Sequence, residues 1–184
     1  MVGLGNPGRE YAATRHNVGF RVAEALVARW DLQRARERFR ARVSEGRVDG
    51  VRVAVLCPQT FMNDAGRSVG PARGALKVPL ERVLVVHDEI DLPFGQVQTR
   101  LGGGLAGHNG LKSLRRELGS ADFMRIRLGV GRPATSDPEI VSAYVLGRFT
   151  EDRADVEELV RRGADAAEEV VLASNAADER GATT

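Results

Sequence analysis

The sequence predicts an α/β domain, a sheet flanked by helices, and three observations carry that expectation. Strand-period and helix-period segments follow one another along the chain. Val83 to Val86 is a short all-apolar run of the kind that fills a strand covered on both faces. At 184 residues the chain is long enough for one well-buried core and too short for two full domains.

Each element has its own signal. Val2-Gly3-Leu4-Gly5 reads as the end of a first strand, and Asn6-Pro7-Gly8 as a turn, because proline fixes φ and glycine accepts positive φ. Val18, Val22, Ala25, Leu26 and Trp30 fall on one face of a helix. From Arg34 to Arg42 arginine takes every second position, which predicts a strand with one cationic side; Asp49-Gly50 signals a hairpin, and Val51, Val53, Val55 and Cys57 form the returning strand. The apolar run at Val83 ends in His87-Asp88-Glu89. Val97, Thr99 and Leu101 alternate until Gly102-Gly103-Gly104 breaks the strand, and Leu111 to Leu118 is helical. Met124, Ile126, Leu128 and Val130 form one strand face, with Arg125 and Arg127 on the other. Asp137 to Val145 and Glu151 to Leu172 read as helices. Residues 1–184 are expected to form one domain, the small polar stretch from Ser174 to Thr184 being a frayed tail.

Composition excludes several classes. Hydrophobic residues at 42% and charged residues at 28% are ordinary for a globular chain, and no apolar run approaches the ~20 residues that span a bilayer. The chain opens almost inside its first motif, with no basic and then apolar leader, so a cytoplasmic location is expected. The single cysteine, Cys57, agrees and reads as core packing. Of 27 lysines plus arginines only Lys77 and Lys112 are lysine. Arginine suits phosphate through its planar fork, but a codon bias toward arginine would leave the same trace.

All three histidines are followed directly by a carboxamide or carboxylate: His16-Asn17, His87-Asp88 and His108-Asn109. An imidazole takes a proton near neutral pH, a carboxylate orients it, and carboxamides hold a carbonyl oxygen. The end of a buried strand in an open α/β sheet is where such groups line a crevice, which favours Asp88. Because neighbours on a strand point to opposite faces, a cleft-facing Asp88 makes His87 structural. His108, at a helix start, reads as a ligand to substrate or RNA.

Two motifs mislead. Gly3-x-Gly5-x-x-Gly8 matches the dinucleotide fingerprint, but only Met1 and Val2 precede it and Pro7 removes an amide from the loop. Gly66-x-Ser68-x-Gly70 matches a nucleophile elbow, and Ser68, Asp88 and His108 follow the order of the α/β hydrolases. Here Asn63-Asp64-Ala65 stands where a buried strand must lead in. Zinc is not expected either, since no histidine pair has the close spacing of common sites.

Five separated blocks together are more specific than any of these: Gly5-Asn6-Pro7-Gly8 with Tyr11; Thr14-Arg15-His16-Asn17-Val18-Gly19; Thr60-Phe61-Met62-Asn63; His87-Asp88-Glu89-x-Asp91-Leu92-Pro93; and Gly107-His108-Asn109-Gly110-Leu111-Lys112. In this set, running to about Phe149, the chain resembles the bacterial-type peptidyl-tRNA hydrolases. The resemblance implies a monomeric α/β domain with a twisted, mixed and mostly parallel sheet, which cleaves the ester between a peptide and the 3′ end of tRNA and so recycles tRNA. It implies no metal or cofactor. Carried over residue by residue, the catalytic histidine falls on His16 and its orienting aspartate on Asp88. The substrate-binding asparagines fall on Asn6, Asn63 and Asn109, with Tyr11 and Met62 lining the same cleft. Two cations that clamp the tRNA 5′ phosphate fall on Arg100, where the family usually has lysine, and Arg127. A catalytically idle RNA-binding protein on the same domain is the competing expectation.

Overall fold

The structure, a computed structural model, describes the backbone of residues 1–181 and the side chains of residues 1–174. Among them the strands are β1 (Val2–Gly3), β2 (Arg36–Arg38), β3 (Ala41–Val48), β4 (Val51–Pro58), β5 (Leu84–Glu89), β6 (Val97–Leu101) and β7 (Met124–Gly129). The α-helices are α1 (Val18–Arg29), α2 (Gly66–Ala75), α3 (Asn109–Leu118), α4 (Pro138–Leu146) and α5 (Arg153–Gly181). One mixed sheet takes the order β2-β3-β4-β1-β5-β7-β6. The four central strands, β4, β1, β5 and β7, run parallel; on one flank β3 pairs antiparallel with β4 and with β2, and on the other β6 pairs antiparallel with β7. The α/β class and the mixed sheet are therefore as read from the sequence.

Alternation along β5 explains why its apolar run has no polar face. Val83 and Val85 pack into a layer with α2 and α3 through Val69, Leu111 and Leu114. Leu84 and Val86 pack into the opposite layer with α1 and α5 through Val22, Leu26 and Leu159. A central strand covered on both sides loses water from every side chain, and each such residue contributes about 1.5–3 kcal/mol of burial. Glycine sets how closely α1 approaches the sheet: a Cβ on Gly19 would lie 2.4 Å from the Val86 carbonyl oxygen and 2.6 Å from that of Leu4. The first turn of α1 thus rests on the ends of β1 and β5, and His16, just ahead of it, is held over the strand ends.

Two expectations are corrected. The strand read from Arg34 to Arg42 is a hairpin, because Phe39 and Arg40 adopt φ of 55° and 53° and reverse the chain. Arg36 then pairs with Val43 and Arg38 with Ala41. Both central residues of such a two-residue turn need positive φ, and the alternating pattern alone does not reveal it where glycine or asparagine is missing. The arginine row is thereby divided between the faces of the hairpin, with Arg38 bound to Glu45 at 3.0 Å and Arg42 to Glu24 at 2.8 Å. The last helix, expected to stop at Leu172, continues to Gly181. The final residues of the expected tail, 182–184, lie outside the described residues. No described helix is long and apolar enough to cross a membrane.

Candidate active site

The carboxyl ends of the parallel strands lie on one side of the sheet, and their continuations build a cleft of about 740 Å³. Asn6 follows β1, Met62 and Asn63 follow β4, Asp88 is the penultimate residue of β5, and Arg132 follows β7. Helix α4, which buries none of its residues in the core, supplies one wall through Pro138, Val141 and Val145. This is the crevice position at which open α/β sheets hold ligands.

His16 and Asp88 meet there. His16 Nδ1 lies 2.9 Å from Asp88 Oδ1 and 3.0 Å from Oδ2. Asp88 is buried, and His16 keeps 11% of its side chain exposed, as a group reached from a cleft must. Both neighbours of His16 act as clamps, a role that no sequence pattern around them signals. Asn17 Oδ1 accepts from the Asn6 N–H and its Nδ2 donates to the Asn6 carbonyl, each at 2.9 Å. Arg15, buried, donates to the Arg148 carbonyl at 2.6 Å, pairs with Glu151 at 3.2 Å and stacks on Tyr144. The first clamp ties His16 to the Asn6 loop, and the second ties it to the end of α4.

Electrostatics follow from this geometry. Burial works against the His16 imidazolium, yet the charge of Asp88 and its hydrogen bond outweigh burial and raise the His16 pKa above 6.5. Burial would likewise raise Asp88, but His16, then His108, hold its carboxyl well below the usual range. His87 is wholly buried; burial first, then His108, lower its pKa to about 3. Its Nδ1 bonds the Asp88 carbonyl oxygen at 2.7 Å, so it stays a neutral ring under the site.

The expected binding residues take distinct positions. Asn6 is buried, and its Oδ1 accepts from the Met62 N–H at 2.8 Å, which leaves Nδ2 as its unspent donor. Among the described residues the Asn63 and Asn109 side chains have no hydrogen-bond partner, and both line the cleft. Tyr11 stands edge to face with Phe61 at 6.5 Å, and Phe61 is 60% exposed beside the opening. His108 is not turned to solvent: its Nε2 lies 3.0 Å from Asp88 Oδ1.

Arg100 and Arg127 lie outside the cleft lining, on the β6–β7 pair. Register places Arg100 opposite Arg125 and Gln98 opposite Arg127, so the three arginines share one sheet face. Arg127 pairs with Glu89 at 2.9 Å and also bonds Gln98, whereas Arg100 is exposed. Arg125, which the alternating pattern placed simply on the polar face, is 2% exposed; it ties Gly103, Gly104 and Ala121 carbonyls at 3.2, 2.7 and 3.0 Å. It is the buried base of a cationic patch.

The other chemistries weighed from sequence find less support. Ser68 is fully buried in α2, and its hydroxyl donates to the Phe39 carbonyl at 2.7 Å, away from Asp88. The glycine-rich opening does not lead straight into a helix, since α1 begins only at Val18. Spacing in sequence gave no hint that His16, Asp88 and His108 would place ligand-capable atoms within 4.8 Å of one another. Those atoms already touch across hydrogen bonds of 2.9 and 3.0 Å. A zinc ion, with ligands at about 2.0–2.2 Å, would have to wedge between them.

Comparison with known proteins gives one answer. The family model described as Peptidyl-tRNA hydrolase matches residues 1–182. The chain is 47% identical over 171 residues to a peptidyl-tRNA hydrolase of Mycobacterium avium, covering 91% of this chain and 88% of that protein. It is 46% identical over 174 residues to one of Geobacillus kaustophilus, covering 94% and 92% respectively. The crystal structure of peptidyl-tRNA hydrolase from Acinetobacter baumannii superposes with a TM-score of 0.84 at 33% identity, over 96% of this chain and 89% of that one.

Proposed function

Because this chain belongs to the peptidyl-tRNA hydrolase family, we propose that it hydrolyses the ester between a peptide and the 3′ end of tRNA, with His16 as general base. The single observation that carries the mechanism is the contact of His16 Nδ1 with the Asp88 carboxylate. An ionised carboxylate only accepts, so Nδ1 bears the proton and Nε2 keeps the lone pair. His16 Nε2 takes a proton from water as the water oxygen attacks the ester carbonyl carbon. Asp88 steadies the imidazolium that forms. As the tetrahedral intermediate collapses, the imidazolium returns the proton to the departing ribose oxygen, leaving a free tRNA hydroxyl and a peptide carboxylic acid, which ionises by losing its proton to solvent.

The carboxamides of Asn6, Asn63 and Asn109 hold the scissile carbonyl and the peptide backbone. Every peptide offers the same amide groups, so this recognition is indifferent to peptide sequence. Tyr11 and Met62 complete the cleft wall, and Arg100 with Arg127 meets tRNA phosphate. An ester is a better electrophile than an amide, so a positioned water suffices without a covalent nucleophile. The reading includes one domain acting as a cytoplasmic monomer without a cofactor. Incubation with an N-acylated aminoacyl-tRNA tests it: release of the N-acyl amino acid is expected, and tRNA binding without release would favour an idle RNA-binding protein.

A further inference from the structure

We propose that His108 is a positioning residue, which uses the amino end of α3 to fix its proton on the nitrogen facing Asp88 and thereby holds the His16–Asp88 pair in its working arrangement. The proposal rests on the general-base reading above. Nδ1 of His108 receives the backbone N–H of Gly110 at 3.1 Å and of Leu111 at 3.4 Å. A nitrogen that accepts two N–H groups carries no hydrogen of its own. Proton and helix would also conflict electrostatically, since the amino end of a helix is its positive end. The neutral ring therefore bears its hydrogen on Nε2, 3.0 Å from Asp88 Oδ1, and can only donate there.

The direction of every bond in the site follows. Asp88 Oδ1 accepts from both imidazoles, His16 Nδ1 at 2.9 Å and His108 Nε2 at 3.0 Å. A carboxylate held by two N–H groups stays ionised, so the remaining ring nitrogen, Nε2 of His16, is left as the base. Both His108 nitrogens are spent within the protein, so neither is free for substrate, contrary to the ligand role expected from its place beside Asn109.

Packing keeps the ring from turning. It is 7% exposed and lies 5.0 Å, centroid to centroid, from both the His16 and His87 rings. Gly110 makes room, since a Cβ there would stand 3.0 Å from His108 Cε1 and 2.6 Å from Met62 Sδ. Other charged groups around the site are Glu89, already paired with Arg127, and Lys112 and Arg132 on the cleft wall; His87 beneath is neutral at working pH.

Two substitutions separate the roles of the ring. His108→Asn keeps a short acceptor for the α3 N–H groups but has no N–H that reaches Asp88; His108→Gln carries an amide N–H to about the place of Nε2 and loses the cap. The expected result for His108→Asn is a near-normal melting temperature and unchanged KM, with kcat lowered roughly 10-fold or more, the scale of one hydrogen bond to a charged group. Its acidic limb of kcat/KM moves to higher pH, because an Asp88 charge no longer shared with His108 holds the His16 imidazolium more tightly. His108→Gln melts lower but restores most of kcat and the original limb. Independently, ¹⁵N NMR of the folded enzyme above neutral pH should show His108 protonated at Nε2 and bare at Nδ1. A His108→Asn enzyme with normal kcat and pH profile, a loss confined to KM, or a hydrogen found on Nδ1 would overturn the proposal while an inactive His16→Ala left the general-base reading standing. Full turnover by His16→Ala would overturn both.

Discussion

His16 Nδ1 and Asp88 Oδ1 lie 2.9 Å apart although 72 positions separate the residues in the chain. Asp88 arrives by way of the central strand β5, and His16 by way of the turn that seats α1 on the same strand ends. Asp88→Asn should therefore disturb protonation more than structure. As the proposed base, His16 must be neutral to act, and its pKa is raised, so wild-type kcat/KM should fall as pH drops through a value above 6.5. Without the Asp88 charge only burial remains, and burial lowers the pKa. The acidic limb should move to lower pH, while the plateau falls by about 10²–10⁴ because Nδ1–H loses its fixed acceptor. Initial rates across pH check both parts, and a limb that stays in place would contradict the assignment.

Asn6 does two things at once, and they are separable. Its Oδ1 holds the Met62 N–H, and in the proposed function its Nδ2 is the donor offered to substrate. Asn6→Asp keeps the acceptor and removes the donor. Its melting temperature should stay close to wild type while kcat drops by about 10² or more, the scale of a lost oxyanion donor. A fall in stability with kcat intact would show that Asn6 serves the fold alone.

On the β6–β7 face, Arg100 is exposed while Arg127 is held by Glu89 and Gln98. Charge removal by Arg100→Gln or Arg127→Gln should weaken tRNA binding and lower the slope of log Kd against log salt by about 1 each. A short N-acylated 3′-aminoacyl fragment that does not reach this face should be cleaved at the wild-type rate by both variants. An equal loss on the fragment would move these arginines into the cleft chemistry.

His87 should make the protein acid-sensitive. Its pKa is lowered from 6.5 to about 3 by burial, so the unfolded chain binds a proton that the folded one refuses. Stability is thus complete above pH 6.5 and is lost as pH falls toward 3, by roughly 2–3 kcal/mol at pH 4.5. The raised pKa of His16 works in the opposite sense and offsets part of this. Urea unfolding at pH 7 and 4.5 should show a smaller pH-dependent loss in His87→Leu than in wild type, whatever the variant's absolute stability. An unchanged difference would mean that His87 is protonated in the folded state.

How far the sequence could be read depended on the range of the interaction. The apolar run Val83–Val86 and the pleat placed Asp88 at a strand end, opposite in face to His87, because both signals are local. The turn at Phe39 and Arg40 was invisible, since positive φ there is imposed by the pairing of β2 with β3 and not by glycine. Arg125 looked like surface on alternation alone, yet three loop carbonyls bury it. His108 was seen as a helix start, but its bond to Asp88 exists only once α3 packs beside β5. Arg15 and Asn17 were legible as letters of a motif, and their partners lie at positions no periodicity connects.

Single-turnover cleavage of an N-acylated aminoacyl-tRNA by His16→Ala, with tRNA affinity measured in parallel, tests the central claim most directly. A rate lowered by at least about 10³ with binding near wild type is the predicted result, since the substitution removes the proposed base and keeps the proposed carboxamide and arginine contacts. Cleavage at the wild-type rate would contradict it.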